Sequence, residues 1–289
     1  YNSMTKIKEF IKTHSVLTYF VLTFIFTWGC MAMAIYPNGF PITEEQFETA
    51  GALVYVAMLV GPSGAGILLT GLLDGRAGFH KLLSRLIKWR VGVRWYAVAL
   101  LTAPLLITTI LLSLSLISSE FQPTIFTSNN KTAAVLTAIA VGLAVGFFEE
   151  LGWTGFAVPR MRQHYGVLTT GLTIGIVWGA WHFLPFWESD TFSGVFPLFL
   201  LILRLFFWLP PYRVLMVWVY DNTESLLVSV LMHASLVASL TIFVPVELSG
   251  ATLMIWILAW SVALWIVVAA VARFNGRFGL RKSSQRRVA

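Results

Sequence analysis

The chain has 289 residues, is 57% hydrophobic and only 11% charged, and carries a net charge of +7 with a mean hydropathy of +0.79. A water-soluble domain would hold about a quarter charged residues, so a soluble enzyme is excluded. A membrane β-barrel is excluded too, since its segments of about 10 residues with alternating polarity are absent.

Apolar runs close to the ~20 residues that cross a bilayer as a helix recur along the chain. They predict an all-α, polytopic membrane protein with eight spans, at about 16–36, 50–73, 95–117, 132–161, 167–186, 195–212, 223–243 and 251–272. The first run already has spanning length, so it reads as a span and not as a cleaved signal peptide. Tyr1, Asn2 and Ser3 precede Met4 and contribute nothing to the pattern.

Charge tests this layout, because cytoplasmic loops collect Lys and Arg. With both termini in the cytoplasm, every Lys and Arg falls on that side except Lys131 and Arg204. Arg213 counts among the cytoplasmic ones, while Arg204 lies inside the sixth span. The opposite loops hold Glu44, Glu45, Glu48, Glu120, Glu188, Asp190 and Glu247.

Between the second and third spans, Arg76, Lys81, Arg85, Lys88, Arg90 and Arg94 alternate with Phe79, Leu82, Leu83, Leu86, Ile87 and Trp89 at helical spacing. That pattern predicts an amphipathic interfacial helix on anionic membrane lipids and no nucleic-acid partner. The basic tail from residue 273 reads as a flexible anchor. With no repeat and no linker, residues 1–289 form a single integral membrane domain. In the sixth span Pro210-Pro211 interrupts an apolar run, and two missing backbone donors break or kink a helix there.

Within the fourth span stand Glu149 and Glu150, two adjacent carboxylates in apolar surroundings. Ionisable groups at membrane depth are costly and mark function by default. His182 and His233 lie inside the fifth and seventh spans. At ~1.5 Å per residue, Glu149, His182 and His233 sit roughly 18, 22 and 15 Å from the cytoplasmic ends of their spans. They share one slab of the bilayer and read as one polar chamber. Neighbouring helical residues are about 100° apart, so one glutamate addresses the chamber while the other braces a neighbouring helix.

Two chemistries suit this set. A glutamate can take a proton from water while a histidine orients it, and the hydroxide attacks an amide carbonyl. Alternatively, Glu149, His182 and His233 hold Zn²⁺, although the His-Glu-x-x-His helix of common zinc proteases is absent. Serine or cysteine nucleophiles have less support: Cys30 is the lone cysteine and no serine is tied to a histidine by a motif.

The run Glu149-Glu150-Leu151-Gly152-Trp153-Thr154-Gly155, then Trp178-Gly179-Ala180-Trp181-His182, then Asp221-Asn222-Thr223 leading to His233-Ala234 resembles the CAAX-protease and bacteriocin-processing family of intramembrane proteases, which includes the type II CAAX prenyl endopeptidases. The resemblance covers about residues 130–245. It implies an intramembrane endopeptidase in which Glu149 is the base and His182 its partner. Glu150 would be the supporting carboxylate and His233 the histidine on the oxyanion side, with Trp178 part of the aromatic motif. The substrate would be a peptide or membrane-anchored protein, reached from the cytoplasm, and likeness to bacterial members implies a bacterial plasma membrane.

Two positions depart from the family pattern, Thr154 where it has arginine and Val237 where it has asparagine, which implies weakened activity. Arg204, deep in a span, is expected to reach Glu150 in place of that arginine. Two other readings fit the same residues. One is a non-catalytic relative that binds a peptide or membrane partner, as in bacteriocin immunity or sorting. The other is a proton-coupled transporter, because buried Glu and His also relay protons.

Overall fold

The computed structural model describes residues 2–275, so the tail anchor expected beyond residue 275 lies outside the described residues. The longer helices are α1 (Asn2–Thr13), α2 (Ser15–Ile35), α3 (Glu44–Leu86) and α4 (Val93–Ser115). After the short α5 (Thr124–Thr127) come α6 (Lys131–Gly152), a π-helical turn at Trp153–Ala157, and α7 (Val158–Met161). Then follow α8 (Val167–Trp181), α9 (Phe183–Phe186), α10 (Val195–Phe206), α11 (Leu209–Thr223), α12 (Leu226–Phe243) and α13 (Gly250–Asn275). The regular elements among the described residues are all helical.

Among the described residues seven helices or helix pairs are long and apolar enough to cross a membrane, and the fifth expected span is instead the 15-residue α8. It stops at Trp181; His182 turns the chain into α9. The expected sixth span is two helices. The chain breaks between Phe206 and Leu209, and Pro210 and Pro211 stand in the first turn of α11, where a missing N–H costs nothing.

Local chemistry accounts for the ends. Thr43 and Gln46 form a reciprocal capping box that starts α3, and the Asn130 and Ser225 side chains cap α6 and α12. Gly75 breaks α3 with φ 56° and ψ −144°, a conformation strained for residues with a Cβ. The basic segment therefore leaves the second span as a separate helical piece. That piece ends at Leu86, short of the pattern expected to run from Arg76 to Arg94.

The core is a set of close helix pairs. α6 lies along α12, α8 along α11, and α2 along α3. Small residues allow the approach, as in other membrane helix pairs. A Cβ on Gly142 would stand 2.5 Å from the Ala234 carbonyl oxygen, and one on Gly146 would stand 2.6 Å from that of Val230. On α8, a Cβ at Gly171 would stand 2.5 Å from the Val214 Cα, and one at Gly175 would run into Pro210.

Candidate active site

These two glycine-lined contacts position the polar residues. Glu150 follows Gly146 by four residues and Gly142 by eight, so it shares their face and looks at α12. His233 neighbours Ala234 in that same contact, and its Nδ1 lies 2.7 Å from Glu150 Oε1. On the other pair, Trp178 follows Gly175 by three residues and Arg213 precedes Val214. Arg213 accordingly lies over the Trp178 ring, with its guanidinium carbon 4.2 Å from the ring centroid. Glu149, turned about 100° from its neighbour, reaches α8, where Trp178 Nε1 donates to Glu149 Oε2 at 3.0 Å.

Glu150 is saturated. Arg213 Nη1 donates to both carboxylate oxygens at 2.9 Å, His233 Nδ1 approaches Oε1, and the Thr154 hydroxyl donates to Oε2. Arg213 and Glu150 are both fully buried, 0% exposed. The π-helical turn begins directly after α6, and the Trp153 N–H donates to both the Glu149 and the Glu150 carbonyls. Such turns recur at functional sites.

Glu149, also buried, has the Trp178 N–H as its one side-chain hydrogen-bond partner among the described residues. Two neighbouring carboxylates thus occupy different chemical situations. Glu150 is an anion locked in place, whereas Glu149 keeps acceptor capacity to spare.

His182 Nδ1 lies 2.8 Å from the Trp178 carbonyl oxygen. A carbonyl only accepts, so Nδ1 carries the proton and the neutral ring presents the Nε2 lone pair. Trp178 also makes edge contacts with both histidine rings, at centroid distances of 5.5 Å to His182 and 5.2 Å to His233. One indole therefore touches Glu149, Arg213, His182 and His233. His182 is the half-exposed member of the group.

The expectation for Arg204 is overturned. Its guanidinium pairs with Glu188 and lies over the Phe186 ring, 4.8 Å from the centroid, and the cation on Glu150 is Arg213. The physical reason is the break at Phe207 and Trp208. A new helix starts at Leu209, carries Arg213 one turn into the interior, and leaves Arg204 on α10 facing the Glu188 loop. Arg213, counted among the cytoplasmic charges, was missed as a site residue. The tandem prolines were its signal, because prolines mark a first turn and so put Arg213 inside a helix.

Among the described residues no group of three His, Cys, Asp or Glu side chains could hold a metal ion. His233 Nδ1 is committed to Glu150 and His182 Nδ1 to a carbonyl, which leaves Nε2 as the only ring nitrogen of either that could meet a metal.

Below this group, at the Lys- and Arg-rich end, a cavity of about 1560 Å³ opens beside Gly155 of the π-helical turn.

Residues 131–239 match the family model described as Type II CAAX prenyl endopeptidase Rce1-like. A curated protein named CAAX prenyl protease 2, from Methanococcus maripaludis, is 21% identical over 224 residues, covering 74% of this chain and 80% of its own length. The family resemblance carried by the three motifs is thereby borne out.

Proposed function

We propose that this chain, a helical membrane protein with an Rce1-like domain of the CAAX-protease family, is an intramembrane endopeptidase that cleaves a peptide bond with water activated by Glu149. The observation that carries this reading is the contrast between the carboxylates. Glu150 is held by Arg213, His233 and Thr154, while Glu149 has a single side-chain hydrogen-bond partner among the described residues, Trp178.

In this scheme Glu149 takes a proton from water, which His182 orients through its Nε2 lone pair. The hydroxide adds to the amide carbonyl. Negative charge develops on the carbonyl oxygen, and the C–N bond breaks as Glu149 returns its proton to the departing amine. His233 holds Glu150 through Nδ1–H and stands on the oxyanion side of the site. Arg213 Nε and Nη2, buried donors without a protein partner, add to the same field. They compensate for Val237, which supplies no donor where the family pattern has asparagine. Trp178 fixes the orientation of Glu149 and of both histidines.

The segregation of basic residues supports cytoplasmic termini and a chamber reached from the cytoplasm. Residues 130–245 are the catalytic core of one integral domain. The substrate class is a peptide segment presented at the membrane, as a lipidated peptide or a membrane-anchored protein.

The test is hydrolysis of a panel of lipidated and membrane-anchored peptides by the protein in nanodiscs, read by mass spectrometry. Cleavage should occur with the native chain and vanish in Glu149→Gln and His182→Ala. Peptide binding without cleavage across the panel would favour the non-catalytic relative and sink the protease reading.

A further inference from the structure

The cavity at the basic end is separate from the catalytic group and has a chemistry of its own. Six cations line it: Lys12, Lys81, Arg85, Lys88, Arg160 and Arg162. Three carboxylates also line it, and each pairs with one cation: Asp74 with Arg160, Asp221 with Arg162 and Glu224 with Lys88. Lys12, Lys81 and Arg85 are left with no carboxylate partner among the described residues. The wall therefore keeps an excess of three positive charges.

Arg85 is not a loose surface side chain. It is half-buried and fixed by neutral groups, donating to the Tyr220 hydroxyl at 2.9 Å and to the Gly155 carbonyl at 3.1 Å. Its charge is thus held in place without being neutralised, which is what an anion site requires.

The cavity also has an apolar exit. Val16 and Leu17 line it, and exposed Leu17, Val21 and Ile25 continue as one stripe along α2, at the i, i+4 spacing of a single helix face. A cavity of about 1560 Å³ exceeds the ~300–1,000 Å³ typical of small-molecule sites. A fixed cationic wall that opens onto an apolar stripe fits an amphiphile with an anionic head.

We propose that this cavity binds the phosphate headgroup of an anionic glycerophospholipid, with Lys12, Lys81 and Arg85 facing the phosphate and the acyl chains lying along Leu17, Val21 and Ile25. The site is formed by residues outside the proposed catalytic group and does not depend on peptide hydrolysis.

Native mass spectrometry of the full chain, released from nanodiscs of equal phosphatidylglycerol and phosphatidylcholine, tests this directly. The native protein should retain phosphatidylglycerol over phosphatidylcholine. Lys12→Glu/Lys81→Glu, which removes no side-chain hydrogen bond or ion pair among the described residues, should cut that preference by about tenfold or more. Arg76→Glu/Arg90→Glu, a matched charge reversal on the same basic segment but outside the cavity lining, should reduce it far less. Short-chain phosphatidylglycerol should also raise the unfolding temperature of the native chain and not of the cavity variant. Equal retention of the two lipids, or equal loss in both variants, would overturn the proposal. Full stabilisation by inorganic phosphate alone would overturn the lipid assignment.

Discussion

Replacing Arg213 by methionine keeps side-chain length and packing but strands the Glu150 carboxylate in a fully buried site. Breaking a buried ion pair by removing one partner costs about 3–5 kcal/mol, because the remaining charge is uncompensated. His233 and Thr154 still bond to Glu150, so the lower end of that range is expected. Glu150→Gln/Arg213→Met strands no charge and should recover most of the loss. Thr154→Arg/Arg213→Met, which places a cation four residues after Glu150 on the same helix, should recover part of it. Arg204→Met provides the contrast. Its pair with Glu188 is 26% and 61% exposed, and exposed pairs contribute about 0–1 kcal/mol. Reversible unfolding in mixed micelles, arranged as a double-mutant cycle, isolates the coupling. A cost below about 1 kcal/mol for Arg213→Met, or one equal to that of Arg204→Met, would refute Arg213 as the counter-ion.

Glu149→Gln should keep the native unfolding midpoint within about 1 kcal/mol and still abolish peptide hydrolysis, since an amide accepts the Trp178 N–H but cannot take a proton from water; product analysis beside unfolding curves separates the two. Trp178→Phe removes the donor on Glu149 while keeping an aromatic ring. A hydrogen bond to a charged group contributes about 1.5–3 kcal/mol, so roughly tenfold or more should be lost from kcat/KM in peptide hydrolysis. Gly146→Val puts side-chain carbons where the Val230 carbonyl already lies; overpacking of about 1–3 kcal/mol or more should force α6 from α12 and lower thermal stability, whereas Gly29→Val, with open space around it, should not.

Much of this protein was legible in the chain itself. Apolar runs of spanning length announce membrane helices because a bilayer offers the backbone no hydrogen-bond partner. Glu149, Glu150, His182 and His233 stood out because charge in hydrocarbon requires an explanation. Their convergence around one indole was not legible in that way. It rests on Gly142 and Gly146 bringing α6 onto α12, and on Gly171 and Gly175 bringing α8 onto α11. Backbone approach depends on the facing helix, which the local sequence does not specify.

The counter-ion shows the division most clearly. Residue order alone requires a cation for a buried Glu150, because an isolated carboxylate is not stable in a low-dielectric interior. Which cation answers depends on how the helices pack. The break before Leu209 turns Arg213 inward over Trp178 and leaves Arg204 beside Glu188. Pairing strength falls with distance and solvent exposure, and both are properties of packed helices, not of positions along a chain.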